Sequence, residues 1–160
     1  QNLVLKNNKE LVLYLSMGFG NPYGDEWCPE TVAEWCEKLH RKLGVSIMAL
    51  SDTIGVANPD SVNQLFSVLI PELPQVEFGG HLHVFPDAAK KLIESAYNSG
   101  CRRFDGAIKG FGGCPMAADD LTGNMPTESM ISWFESQALE HSVNKEKFDV
   151  SMEKALNIFP

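Results

Sequence analysis

Gln75-Val76-Glu77-Phe78-Gly79-Gly80-His81-Leu82-His83 is the stretch on which the fold turns. Residues 75–80 read as a short strand, and the strand ends at His81-Leu82-His83. On extended backbone, residues two apart point to the same side. The two imidazoles therefore share a face and could meet one divalent metal ion. The alternative reading is a pair of polar residues at a strand end, facing solvent or a core hydrogen bond. Two ligands are too few for a metal, so others would have to converge from elsewhere.

The same unit, an apolar strand with a polar end, recurs on both sides. Val45 to Leu50 is a buried strand that delivers Ser51-Asp52-Thr53. Leu11 to Met17 is another, followed by the turn-rich segment Gly18 to Asp25. Cys101 to Asp105 is a fourth. Helical patterns lie between them. Pro29 and Glu30 open one whose Val32, Trp35, Cys36 and Leu39 share a face, and Gly44 ends it. Asp60 or Ser61 caps a second that runs to about Ile70. Pro86 and Asp87 start a third that continues through about Asn98. Gly110 to Asn124 reads as a long glycine-rich loop. Two further helices are expected near Thr127–Leu139 and Lys145–Asn157.

Strands beginning near residues 11, 45, 75 and 101 alternate with helices, which signals βαβ units and a parallel sheet. A small doubly wound sheet and half of an eight-stranded β/α barrel both meet that description. Two features favour the half barrel. The polar clusters fall after the carboxyl ends of strands, where barrel sites sit. No complete GxGxxG opens a helix, and Gly110-Phe111-Gly112-Gly113 matches only its first part.

The 160 residues are 44% hydrophobic and carry a formal charge of −8, which argues against a nucleic-acid partner. No apolar run has the length of a transmembrane helix. The amino terminus lacks signal-peptide anatomy. Cys28, Cys36, Cys101 and Cys114 are scattered, with no CxxC pair. Mostly free thiols in a reducing, intracellular compartment are expected, cytoplasmic or mitochondrial.

Asp52 could be a ligand, a base, an orienter of an imidazole, or a turn residue. Asp105 has the same ambiguity. Cys114 closes a mobile Gly-rich loop and could be a nucleophile or an acid/base, or an incidental thiol. Cys28, Cys36 and Cys101 lie in element patterns where inert thiols are expected. Asn124 could be a turn residue, or its amide oxygen could complete a set of oxygen and nitrogen ligands suited to Mg²⁺ or Mn²⁺. Trp27, Trp35 and Trp133 read as structural.

Together, Ser51-Asp52-Thr53-Ile54-Gly55-Val56, His81-Leu82-His83, Gly110-Phe111-Gly112-Gly113-Cys114-Pro115 and Gly123-Asn124 resemble the hydroxymethylglutaryl-CoA lyase group of the DRE-type metallolyase barrels. The resemblance runs from about Leu11 to near the end of the chain. It implies an α/β fold made of the last four β/α units of a TIM (β/α)8 barrel plus carboxyl-terminal helices. Residues 1–160 would then be a partial catalytic domain without its amino-terminal half. It implies His81, His83 and Asn124 as ligands of a divalent cation, Mg²⁺ or Mn²⁺. It also implies Cys114 as a catalytic loop thiol and Asp52 as a site residue. The family cleaves hydroxymethylglutaryl-CoA to acetyl-CoA and acetoacetate. By that analogy His81, Asp52 or Cys114 handles protons.

Three departures accompany the resemblance. The family's arginine–aspartate pair, which supplies a further metal ligand, has no counterpart here. Val84 follows the second histidine where the family commonly has aspartate. The segment Met116 to Leu121 is more acidic than expected and one residue longer. The chain alone is therefore expected to be inactive, and to pair with a second copy or with the missing half barrel. An acyl-CoA is the expected substrate, with no nucleic-acid or membrane partner. The rival readings are a related aldolase or condensing enzyme acting on a 2-oxo acid, and a non-catalytic metal-binding scaffold.

Overall fold

The computed structural model describes residues 1–113 and 122–159. At its centre β2 (Ile47–Asp52) lies parallel to β3 (Glu77–Val84), pairing Ser51 with His81 and Asp52 with Leu82. β1 (Leu13–Leu15) runs parallel along the other edge of β2, and β4 (Arg103–Phe104) parallel along the other edge of β3. The strand order is thus the chain order, β1-β2-β3-β4. A doubly wound sheet reverses its order at a switch point. This sheet does not, as expected of consecutive β/α units in the TIM-barrel family.

The connecting helices are α2 (Pro29–Leu43), α3 (Pro59–Glu72), α4 (Ala89–Asn98) and α5 (Thr127–Ser136), each packed on the next. They cover one face of the sheet. Met48, Leu50, Phe78, Leu82 and Val84 point into that layer and meet Leu65, Phe66, Leu69, Leu92 and Ile93 in a single apolar core. Alternate residues take the opposite face, hereafter the open face: Tyr14, Ser51, Gly79, His81, His83 and Arg103. Cys36 and Cys101 are buried, and burial pushes both thiols up to about 12, so they are inert near neutral pH.

Local chemistry sets most boundaries. α2 starts with Pro29 in its first turn and ends at Gly44, whose φ of 66° is the left-handed closure that favours glycine. The cap of α3 is Asn58, not Asp60 or Ser61. Its side chain accepts from the backbone N–H of both residues, while the Ser61 hydroxyl accepts from the N–H of Asn58. Pro59, with φ already set for helix, takes the first helical position and moves the cap back one residue. α4 begins at Ala89, after a turn at residues 86–88. α5 stops at Ser136 rather than Leu139, because Ala138 has a positive φ of 53°.

Besides a short 3-10 turn at Ile108–Gly110, two elements were not expected from the sequence. The short α1 (Asn2–Lys6) has no buried residue. β5 (Gly123–Asn124) lies within the segment read as a loop and pairs antiparallel with β3, setting Asn124 opposite His83. The last helix, α6 (Lys145–Ile158), is capped by Asn144. Among the described residues no helix is long and apolar enough to cross a membrane.

Candidate metal centre

β3 carries both histidines on the open face, their ring centroids 5.3 Å apart and their planes nearly perpendicular. Each ring is held through Nδ1. His83 Nδ1 lies 2.7 Å from the backbone carbonyl oxygen of Asp52. A carbonyl only accepts, so Nδ1 carries the proton, and in the neutral ring Nε2 presents a lone pair. His81 Nδ1 lies 3.3 Å from Oδ2 of Asp105, a weaker contact with the same consequence. Neither Nε2 has a partner within hydrogen-bond distance among the described residues.

Asn124 completes the group. Antiparallel pairing places it directly across from His83. Its Nδ2 donates to the Phe111 carbonyl at 2.9 Å, and no described residue donates to its Oδ1. The loop reaches this position through close backbone contacts. Gly110 has a φ of 65°, and a Cβ built on it would stand 2.8 Å from the Asn124 carbonyl oxygen. Two imidazole nitrogens and one amide oxygen, each anchored by its other polar atom, suit a divalent cation such as Mg²⁺ or Mn²⁺. Among the described residues no group of three His, Cys, Asp or Glu side chains converges. The donors that could meet a cation here are the two imidazole nitrogens and the Asn124 amide oxygen.

Asp52 has a different place. It is 1% exposed, and its carboxylate accepts from the N–H groups of Val56 and Ala57 at 3.0 and 2.9 Å. Parity puts its side chain on the helix face, and its backbone oxygen is the atom that meets His83. Burial pushes its carboxyl above the ordinary range, while the two backbone amides and His83 pull the other way. Asp52 shapes the loop after β2 and orients His83. Asp105 is half-buried beside His81, whose hydrogen bond holds its carboxyl below the usual range against the opposing effect of burial. Cys114 lies outside the described residues.

Tyr14 was not singled out in the sequence. Its hydroxyl donates to Asp105 Oδ2 at 2.6 Å, and its ring meets His81 edge-on at 5.3 Å. That hydrogen bond raises the phenol pKa. The available signal was strand parity: between Leu13 and Leu15, Tyr14 belongs to the histidine face. Tyr14, His81, Phe104, Asp105, Ala107 and Asn124 line an open cleft of about 540 Å³.

The profile of the HMGL-like family matches residues 6–153. The chain belongs to the HMGL-like family. Among relatives, the hydroxymethylglutaryl-CoA lyase of Pseudomonas mevalonii is 35% identical over 118 residues, 74% of this chain and 38% of the relative. The solved HMG-CoA lyase of Bacillus subtilis superposes with a TM-score of 0.85 at 32% identity, over 95% of this chain and 50% of the other. The HMG-CoA lyase of Acinetobacter baumannii, solved with coenzyme A and 3-methylmalate, gives 0.77 at 26% identity over 95% and 49%. This HMGL-like chain thus spans half or less of the length of these relatives.

Proposed function

We propose that the chain is the carboxyl-terminal half of a (β/α)8-barrel lyase. In this reading its residues 1–160 form part of a catalytic domain whose other half supplies the remaining strands, either on the same polypeptide or as an associated chain. The in-order parallel sheet, helix-covered on one face and open on the other, supports this reading. So does coverage of about half of each solved relative.

The reaction proposed is cleavage of 3-hydroxy-3-methylglutaryl-CoA, or a similar acyl-CoA, to acetyl-CoA and acetoacetate. The observation that carries the reading is that three neighbouring side chains, the paired rings of His81 and His83 and Asn124 across from His83, are each held through one polar atom, which leaves Nε2, Nε2 and Oδ1 without a partner among the described residues. These residues would hold Mg²⁺ or Mn²⁺, which when bound polarises carbonyl and hydroxyl oxygens as a Lewis acid. Asp52 keeps His83 in its ligating tautomer through its carbonyl. Of the three residues that the resemblance offers for the proton steps, His81 would be engaged through Nε2 and the Asp52 carboxylate is engaged with backbone amides, so this reading assigns those steps to Cys114. A proton leaves the C3 hydroxyl, the C2–C3 bond breaks, the C3 oxygen becomes the ketone of acetoacetate, and the acetyl-CoA enolate takes a proton at carbon.

The test is an acyl-CoA cleavage assay with Mn²⁺ on the full-length protein and on residues 1–160 alone. Turnover is expected only where the other half of the barrel is present, as part of the full-length polypeptide or as the associated chain. It should fall by about 10³-fold or more in Cys114→Ser, the scale of losing an activated nucleophile or acid/base. A full-length protein that binds Mn²⁺ without cleaving the thioester-bearing substrate would sink the lyase reading.

A further inference from the structure

We infer that Tyr14 and Asp105 form a positioning pair that holds His81 for metal coordination. The inference rests on the metal-site reading above and adds two residues to it. His83 obtains its orientation from a backbone carbonyl, which no side-chain substitution removes. His81 has no such support. Its Nδ1 faces one oxygen of Asp105, at 3.3 Å, and that same oxygen accepts the Tyr14 hydroxyl at 2.6 Å. β1 and β4 are opposite edges of the described sheet, so this contact spans it: the residues lie 91 positions apart in the chain. Two features make it a device rather than an accident of packing. The Tyr14 ring stands edge-on to His81, which limits rotation of the imidazole from the side opposite Asp105's strand. The Tyr14 hydroxyl fixes the carboxylate oxygen that faces His81 Nδ1.

Outer partners of metal-bound histidines fix the tautomer and raise ligand basicity, and losing one typically weakens metal binding about 10- to 100-fold. Tyr14→Phe keeps the ring and its edge contact and removes only the hydroxyl. Asp105→Ala removes the acceptor, whereas Asp105→Asn keeps an oxygen that can still accept from Nδ1–H.

The experiment measures Mn²⁺ affinity of the full-length protein and these variants, with ¹⁵N NMR of the His81 ring in the metal-free protein. Asp105→Ala should weaken Mn²⁺ about 10- to 100-fold, Asp105→Asn should restore part of the loss, and Tyr14→Phe should fall near the low end of that range. His81 should be the Nδ1–H tautomer in the wild type and a mixture in Asp105→Ala. Should Asp105→Ala fail to fold, Tyr14→Phe carries the test. Wild-type Mn²⁺ affinity in Tyr14→Phe, or an Nε2–H tautomer for wild-type His81, overturns the pair and leaves the metal site standing. A wild-type protein that binds no Mn²⁺, or whose binding survives His83→Ala, overturns the metal site and the pair together.

Discussion

On β3, Phe78, Gly80 and Leu82 face the helices while Gly79, His81 and His83 face the other way. Apart from Asp52 at the end of β2, the helix face is filled by carbon, and its residues are positioned by contact with many neighbours at once. The open face is polar toward the carboxyl ends of its strands, and the residues there are each held by a hydrogen bond: His83 to a carbonyl, His81 to a carboxylate, Asn124 to a carbonyl. One strand therefore builds two layers under different rules. Removing volume on one should cost fold stability. Removing a polar atom on the other should cost geometry at the site.

The largest break in this comparison is expected at Leu50, fully buried between the sheet and the helices. Leu50→Ala should lower unfolding stability by about 2–5 kcal/mol, from lost transfer energy plus the cavity left behind. Urea denaturation measures it. Mn²⁺ affinity under conditions where the variant stays folded should be unchanged. A loss under about 1 kcal/mol would mean the helix layer repacks freely and the two faces do not differ as described.

Gly110 tests the junction between the layers. Its positive φ costs an alanine about 1–2 kcal/mol, and the new methyl would press on the Asn124 carbonyl oxygen. Gly110→Ala should therefore lose stability of that order and also weaken Mn²⁺ binding, because Asn124 is displaced from its place opposite His83. A stability loss at unchanged affinity would separate Asn124 from the metal site.

The sequence showed the layers more readily than the contacts between them. Val45 to Leu50, followed by Ser51-Asp52-Thr53, was legible because a buried strand reads as a continuous apolar run and its polar end as a break in that run. His81 and His83 were legible as a pair because strand parity is local. β5 was not legible. Gly123 and Asn124 have no strand propensity, and they extend the sheet only because β3 offers them an edge. Asp52 showed as a polar residue at a strand end, but nothing local reveals that its carbonyl, rather than its carboxylate, would meet His83. Tyr14 was missed because its partner lies on a strand 91 residues away. The pairing of His81 and His83 toward a metal was read from strand parity, whereas Asn124 was added mainly by the family resemblance, because nothing local to Gly123-Asn124 shows that it stands opposite His83.

The smallest expected effect lies farther down the open face. Arg103 Nη1 sits 3.3 Å from Glu77 Oε1, and both side chains are roughly a third to a half exposed. The stem of Arg103 lies over Gly79, 3.0 Å from where a Cβ would stand. Arg103→Met keeps most of that apolar cover and removes only the charge. An exposed pair of this kind contributes about 0–1 kcal/mol, so the stability of residues 1–160 should change by less than about 1 kcal/mol. If the proposed second half of the barrel closes over this face in the full-length protein, Glu77 would be taken out of water there. The same substitution there leaves a buried carboxylate unpaired and should cost about 3–5 kcal/mol. Equal small losses in both proteins would mean that nothing covers the open face at this level, and the half-barrel reading would fail at the floor of the barrel.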